Sequence, residues 1–132
     1  MKTAFNPAAT FRQFVAAIND HDLDALAALM SPDHLFVDSM GNWVHGATPM
    51  RAGWRSYFAM CLDYRVRIDK SLSQRGTVLA VGEAGGTIDN LPWRTPAAWL
   101  AVVRGGMVLE WRVFADNKPV YEILAKRDRA GA

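Results

Sequence analysis

Apolar positions in the first third of the chain recur at helical spacing. Phe11, Phe14, Val15 and Ile18 fall at i, i+3, i+4 and i+7, with Asn6 as N-cap and Pro7 at the first helical position. Asn19-Asp20-His21-Asp22 interrupts that pattern. Asp22 can cap a second helix carrying Leu23, Leu26, Leu29 and Met30, which Ser31-Pro32-Asp33 ends. Leu35 to Asp38 then has strand character, Met40-Gly41-Asn42 reads as a turn, and Trp43 to His45 returns as the antiparallel partner. Thr48-Pro49 signals a third helix, in which Met50, Trp54, Tyr57, Phe58 and Cys61 make a broad aromatic face.

After Asp63 the period drops to two. Tyr64, Val66, Ile68 and Leu72 alternate with Arg65, Arg67, Asp69 and Ser71, as in a strand with one face on a core. Arg75-Gly76 marks a turn. Thr77 to Ile88, Trp93 to Arg104 and Met107 to Ala115 are three further β segments, the last two joined by the tight Gly105-Gly106 turn. Gly82, Gly85 and Gly86 predict a bulge or sharp bend where the sheet curls. The pattern predicts an α+β fold: three N-terminal helices packed on a strongly curved, mostly antiparallel sheet, forming a cone with a central pocket.

Composition bounds what such a chain does. With 132 residues, one domain spanning 1–132 is expected, and 51% hydrophobic against 21% charged residues predicts a folded core. The net charge of +2 is spread without a basic run, so neither nucleic acid nor a membrane surface is an expected partner. Cys61 is the only cysteine and sits in an apolar helical pattern, which reads as a buried structural thiol. His21, His34 and His45 lack metal-ligand spacing, and there is no phosphate-binding glycine loop, dinucleotide fingerprint or Gly-x-Ser-x-Gly. Chemistry without metal or cofactor is expected. No secretory signal pattern or long apolar run is present, which predicts a cytoplasmic protein.

The run FRQFVAAINDHDLDALAALMSPDHLFVDSMG, residues 11–41, resembles the start of nuclear-transport-factor-2-like domains, particularly the ketosteroid isomerases and the SnoaL-like polyketide cyclases. WRSYF at 54–58, DYRVRI at 63–68 and PWRTPAAWLAVVRGGMVLEWRVFAD at 92–116 continue the likeness. The resemblance implies a general base at Asp38, in Asp38-Ser39-Met40-Gly41. It places Phe14 where the isomerases have a tyrosine, and Ala98 or Trp99 near their protonated aspartic acid. Losing one oxyanion donor typically costs about 2.7–4 kcal/mol of transition-state stabilisation, so ordinary steroid isomerisation is not expected. The likeness to the cyclases instead implies an acid–base role for Asp116. By alternation Asp116 shares a face with Glu110, Arg112 and Phe114, so a bulge near Ala115 is needed to turn it toward the tryptophan side.

Phe14, Trp54, Tyr57, Trp93, Trp99 and Trp111 are candidate lining for a flat apolar ligand, or equally plain core. His45, across the first hairpin from Asp38, is a candidate partner for its proton. Two functions follow: a cofactor-free lyase, isomerase or cyclase acting by acid–base chemistry on a hydrophobic carbonyl compound, or a non-catalytic module for ligand binding or dimerisation. Similar folds pair through the outer face of the sheet, which implies a homodimer.

Overall fold

The computed structural model describes residues 5–130. The elements are α1 (Pro7–Asn19), α2 (Leu23–Ala28), β1 (Met30–Val37), β2 (Trp43–His45), α3 (Ala47–Met60), β3 (Arg65–Gln74), β4 (Thr77–Ile88), β5 (Leu91–Arg104), β6 (Met107–Ala115) and α4 (Lys118–Ala130). Helix starts follow the capping chemistry. Asn6 Oδ1 accepts from the amides of Ala8 at 2.9 Å and Ala9 at 3.4 Å, and Asp22 Oδ1 accepts from Ala25 at 3.1 Å. At α3 the expected Thr48-Pro49 start lies inside the first turn, because Gly46, at φ 107°, precedes the helix and brings no side-chain cap.

The six strands form one sheet in the order β2-β1-β6-β5-β4-β3. β1 and β6 run parallel and every other pair is antiparallel, so the sheet is mixed and open. β1 begins at Met30 and passes through Ser31-Pro32-Asp33, the segment expected as a loop. A register shift between Met30 and Leu35 accommodates the proline, which has no amide to donate. Arg75-Gly76, Asp89-Asn90 and Gly105-Gly106 are two-residue hairpin turns with both residues at positive φ. The bend sits where Asp69 is extra between Ile68↔Gly82 and Lys70↔Val81. There a Cβ at residue 82 would overlap the Arg67 carbonyl, so only glycine lets the two strands approach.

Helices α1 to α3 cover the concave side. Phe11, Phe14, Ile18, Leu26, Trp54 and Phe58 bury against it, and the strands contribute Val78, Trp99, Val108 and Trp111. The fourth helix is a departure from the expected three. The residues after β6, for which the pattern predicts no element, form α4, whose Val120 and Ile123 are buried in the same core. α4 runs across the ends of the strands from β6 to the β4–β5 turn, where Arg127 grips Asp89 through two 2.7 Å hydrogen bonds. Among the described residues no helix is long and apolar enough to cross a membrane.

Candidate functional site

α3 packs on β1 and β2 and α4 packs on β5, and the open end of the sheet between them is called the mouth. Tyr64, at the entry to β3, is the centre of an aromatic cluster there. Tyr57 meets it edge-on at 4.8 Å between ring centroids, Trp93 stacks at 6.1 Å and Trp54 lies at 6.3 Å. Phe58 and Phe36 extend the cluster at 5.4 Å and 6.3 Å from Trp54. Burial pushes the Tyr57 phenol far above its ordinary value, with Tyr64, Cys61 and the nearby Tyr121 of α4 adding to the effect. Tyr64 is raised for the same first reason. Both phenols are therefore neutral hydrogen-bonding groups at any working pH.

Deeper in, Phe14 packs on Trp111 at 4.7 Å and near His34 at 6.0 Å. The structure thus divides the predicted lining. Trp54, Tyr57 and Trp93 come together at the mouth, Phe14 and Trp111 form the base, and Trp99 is core with 1% exposure. The central space expected to be open is occupied by these rings. The two depressions that accompany them lie at the rim. One of about 480 Å³ is bounded by Ser39, Met40, Asp116, Lys118 and Tyr121, and one of about 510 Å³ by Arg65, Arg67, Gly85 and Arg94.

The two predicted carboxylates have local partners. Asp38 Oδ1 accepts from the amides of Met40 and Asn42, both at 2.9 Å, and Oδ2 accepts from Asn42 Nδ2 at 3.2 Å. The carboxylate holds its own turn together, as an Asx turn does. Asp116 lies just past β6, so the bulge required by strand alternation does not arise. Its Oδ1 accepts from Lys118 N at 3.0 Å at the start of α4, while its carbonyl accepts from Thr95 Oγ1 at 2.8 Å. His45 is exposed on the edge strand and pairs with Leu35 rather than facing Asp38. Hairpin register explains this: Val37 pairs with Trp43, which sets His45 away from the turn.

Among the described residues four buried side-chain polar atoms have no hydrogen-bond partner: Ser31 Oγ, His34 Nε2, Trp54 Nε1 and Trp93 Nε1. The Trp93 indole N–H lies toward the Cys61 thiol, a weak acceptor, without reaching hydrogen-bond geometry. His34, fully buried, shares a 2.8 Å hydrogen bond between Nδ1 and the Val108 carbonyl, which fixes Nδ1 as the donor and leaves Nε2 a free lone pair. Burial lowers its pKa below the ordinary 6.5, against smaller opposing effects of the Val108 carbonyl and Glu110, so it is neutral. His34 and Tyr64 are absent from the residues expected to line the site. Tyr64 heads the alternating row Tyr64, Val66, Ile68, and that signal was available, whereas His34 precedes the expected strand start at Leu35 and had none. Among the described residues no group of three His, Cys, Asp or Glu could hold a metal ion.

The sequence pattern of the SnoaL-like domain family matches residues 11–118. No curated protein matches the chain significantly. Among solved structures, the chain is similar to a protein with a ketosteroid isomerase-like fold from Catenulispora acidiphila, crystallised with trimethylamine. The TM-score is 0.73 at 23% identity, covering 85% of this chain and 86% of that one. It is similar to a LEH-like epoxide hydrolase of M. tuberculosis at TM-score 0.77 and 18% identity, with coverage of 90% and 86%. A cystatin-fold protein from Novosphingobium aromaticivorans gives TM-score 0.76 at 18% identity, with coverage of 84% and 99%. At these identities the likeness is one of fold.

Proposed function

The chain belongs to the SnoaL-like domain family, and from that premise we propose that it binds a neutral, flat, largely apolar small molecule carrying a hydrogen-bond acceptor, seated among the mouth aromatics beneath α4. The observation that carries this reading is the pair of buried, unpartnered indole N–H groups of Trp54 and Trp93, whose rings both lie beside Tyr64. Each unsatisfied donor costs about 1–3 kcal/mol, and a ligand oxygen offsets that cost. Neutrality follows from the surroundings. The buried polar residues among those described are Thr10, His34 and Thr95, so a charged ligand would be buried without a counter-charge.

A matched pair of probes tests this. 9-Fluorenone and fluorene share a flat tricyclic shape, and only the ketone has an acceptor. The reading predicts that fluorenone binds about tenfold more tightly, and that Trp54→Phe, which keeps the ring but not the donor, removes most of the difference. Equal affinities in the parent protein would contradict it.

A catalytic reading has one specific observation in its favour: Asp116 borders the rim depression of about 480 Å³ together with Ser39 and Asn117. There it would serve as acid or base toward a hydrophobic carbonyl compound, in a cofactor-free lyase, isomerase or cyclase step. Asp116→Asn, which retains the contact to Lys118, tests it; turnover undiminished in that variant rules the role out.

We also propose a homodimer through the outer face of the sheet. Leu72, Leu79, Leu100, Arg112, Val37 and Trp43 are in register across all six strands, and Val81 and Phe114 lie in the adjacent row. Leu72, Leu79 and Phe114 are 78%, 51% and 53% exposed, an apolar face that a second copy would cover.

A further inference from the structure

Every route into the cone must separate something, and the elements differ in what separation breaks. Parting any two strands breaks a ladder of backbone hydrogen bonds, and lifting α1 or α3 exposes Phe11, Phe14, Trp54 and Phe58. α4 is different. It makes no strand pairing, among the described residues buries Val120 and Ile123 fully with Leu124 half-buried beside them, and begins at Lys118, where the family's common pattern ends. The residues before it, Asp116 and Asn117, belong to neither a strand nor a helix.

Polar contacts near the surface hold the two ends of α4. At the near end Asn117 Nδ2 donates to Ser39 Oγ at 2.7 Å. At the far end the Arg127 guanidinium makes its two 2.7 Å bonds to Asp89, with the two side chains 45% and 41% exposed. Asp89 and Asn90 form a two-residue turn at φ 53° and 65°, which gives the carboxylate a fixed seat. Between these ends α4 packs on β5, and its Val120 and Ile123 join the same buried core as Trp54, Phe58, Tyr64 and Trp93, against which Tyr57 packs.

We infer that α4 is a gate on the ligand site, pivoting at Asp116–Asn117 and latched to the β4–β5 turn by Arg127 and Asp89. The inference rests on the ligand reading above and adds its control: the closed state fills the cone's mouth with Val120 and Ile123, and a ligand enters from the open one. Association then scales with the open fraction, so weakening the latch speeds entry and fixing it prevents entry.

The test uses full-length protein with Trp43→Phe, which removes the exposed indole (67% exposed) from the fluorescence signal. In stopped-flow mixing with 9-fluorenone, Arg127→Gln and Asp89→Asn should each raise the association rate about two- to fivefold, the range open to an exposed ion pair. Exchanging the charges, Asp89→Arg with Arg127→Asp, should return it toward the parent rate. Asp89→Cys with Arg127→Cys, bridged by a bis-methanethiosulfonate linker, should slow association at least tenfold, and dithiothreitol should restore it. Association in the bridged protein at the reduced protein's rate overturns the gate. A ligand-free readout separates this from failure of the ligand reading: Arg127→Gln should increase acrylamide quenching of the buried tryptophans. Unchanged quenching overturns the gate whether or not fluorenone binds, whereas increased quenching without fluorenone binding supports the gate and removes the ligand reading.

Discussion

Asp38 shows how one residue type serves two chemistries. A carboxylate beside a strand end suits a general base, yet here two backbone amides and the Asn42 side chain occupy it. Asp38→Ala should lower stability by about 1 kcal/mol through loss of those bonds, read from the urea midpoint, and leave fluorenone affinity within twofold. His34 makes a prediction of opposite character. Its folded-state pKa is lowered by burial, so the unfolded chain takes up the proton first and stability present above pH 6.5 is lost as pH falls below it. Glu110 is the charged neighbour that tempers the effect. The urea midpoint should drop between pH 7.5 and 5.5, and His34→Phe should flatten that segment of the curve; an unchanged slope would mean that His34 does not carry it. The inward parity of Trp93, Trp99 and Trp111 was legible in the sequence because period two fixes which face a residue takes. The use to which Asp38 and Asp116 put their oxygens was not, since that depends on where the next amides fall.

Elements were legible wherever periodicity ran long or a turn needed glycine. The caps at Asn6 and Asp22, the first hairpin and the β5–β6 turn all follow from short-range chemistry. The parallel β1–β6 pair did not, because pairing of strands 70 or more residues apart leaves no local mark. α4 was partly visible: Val120, Ile123 and Leu124 are at i, i+3 and i+4, but a stripe this narrow among charged residues predicts no helix by itself. Gly82 marks the element-scale constraint most sharply. Gly82→Ala forces a methyl against the Arg67 carbonyl and should cost about 1–3 kcal/mol, measurable as a lowered urea midpoint. Truncation after Asn117 removes two buried side chains worth about 1.5–3 kcal/mol each and should expose the mouth to a fluorescent apolar dye. Dye binding no greater than in the parent would place α4 elsewhere in the energetics.

At the scale of the whole molecule, a bent sheet carries apolar surface on both sides. The concave side is filled by its own aromatic rings and closed by α4, and the convex side is left with its leucine row uncovered. Leu79→Lys, on the outward face of β4, should convert a dimer to monomer in light scattering at tens of micromolar without changing the far-ultraviolet spectrum; a parent protein that is already monomeric contradicts the paired state. In the proposed ligand site the two unpartnered indole donors await a ligand acceptor. This is tested most directly by the ¹H–¹⁵N resonances of the tryptophan side chains during titration with 9-fluorenone. The Trp54 and Trp93 indole protons should move downfield while those of Trp99 and Trp111 stay nearly fixed. Movement confined to the exposed Trp43, or no movement at all, would contradict it.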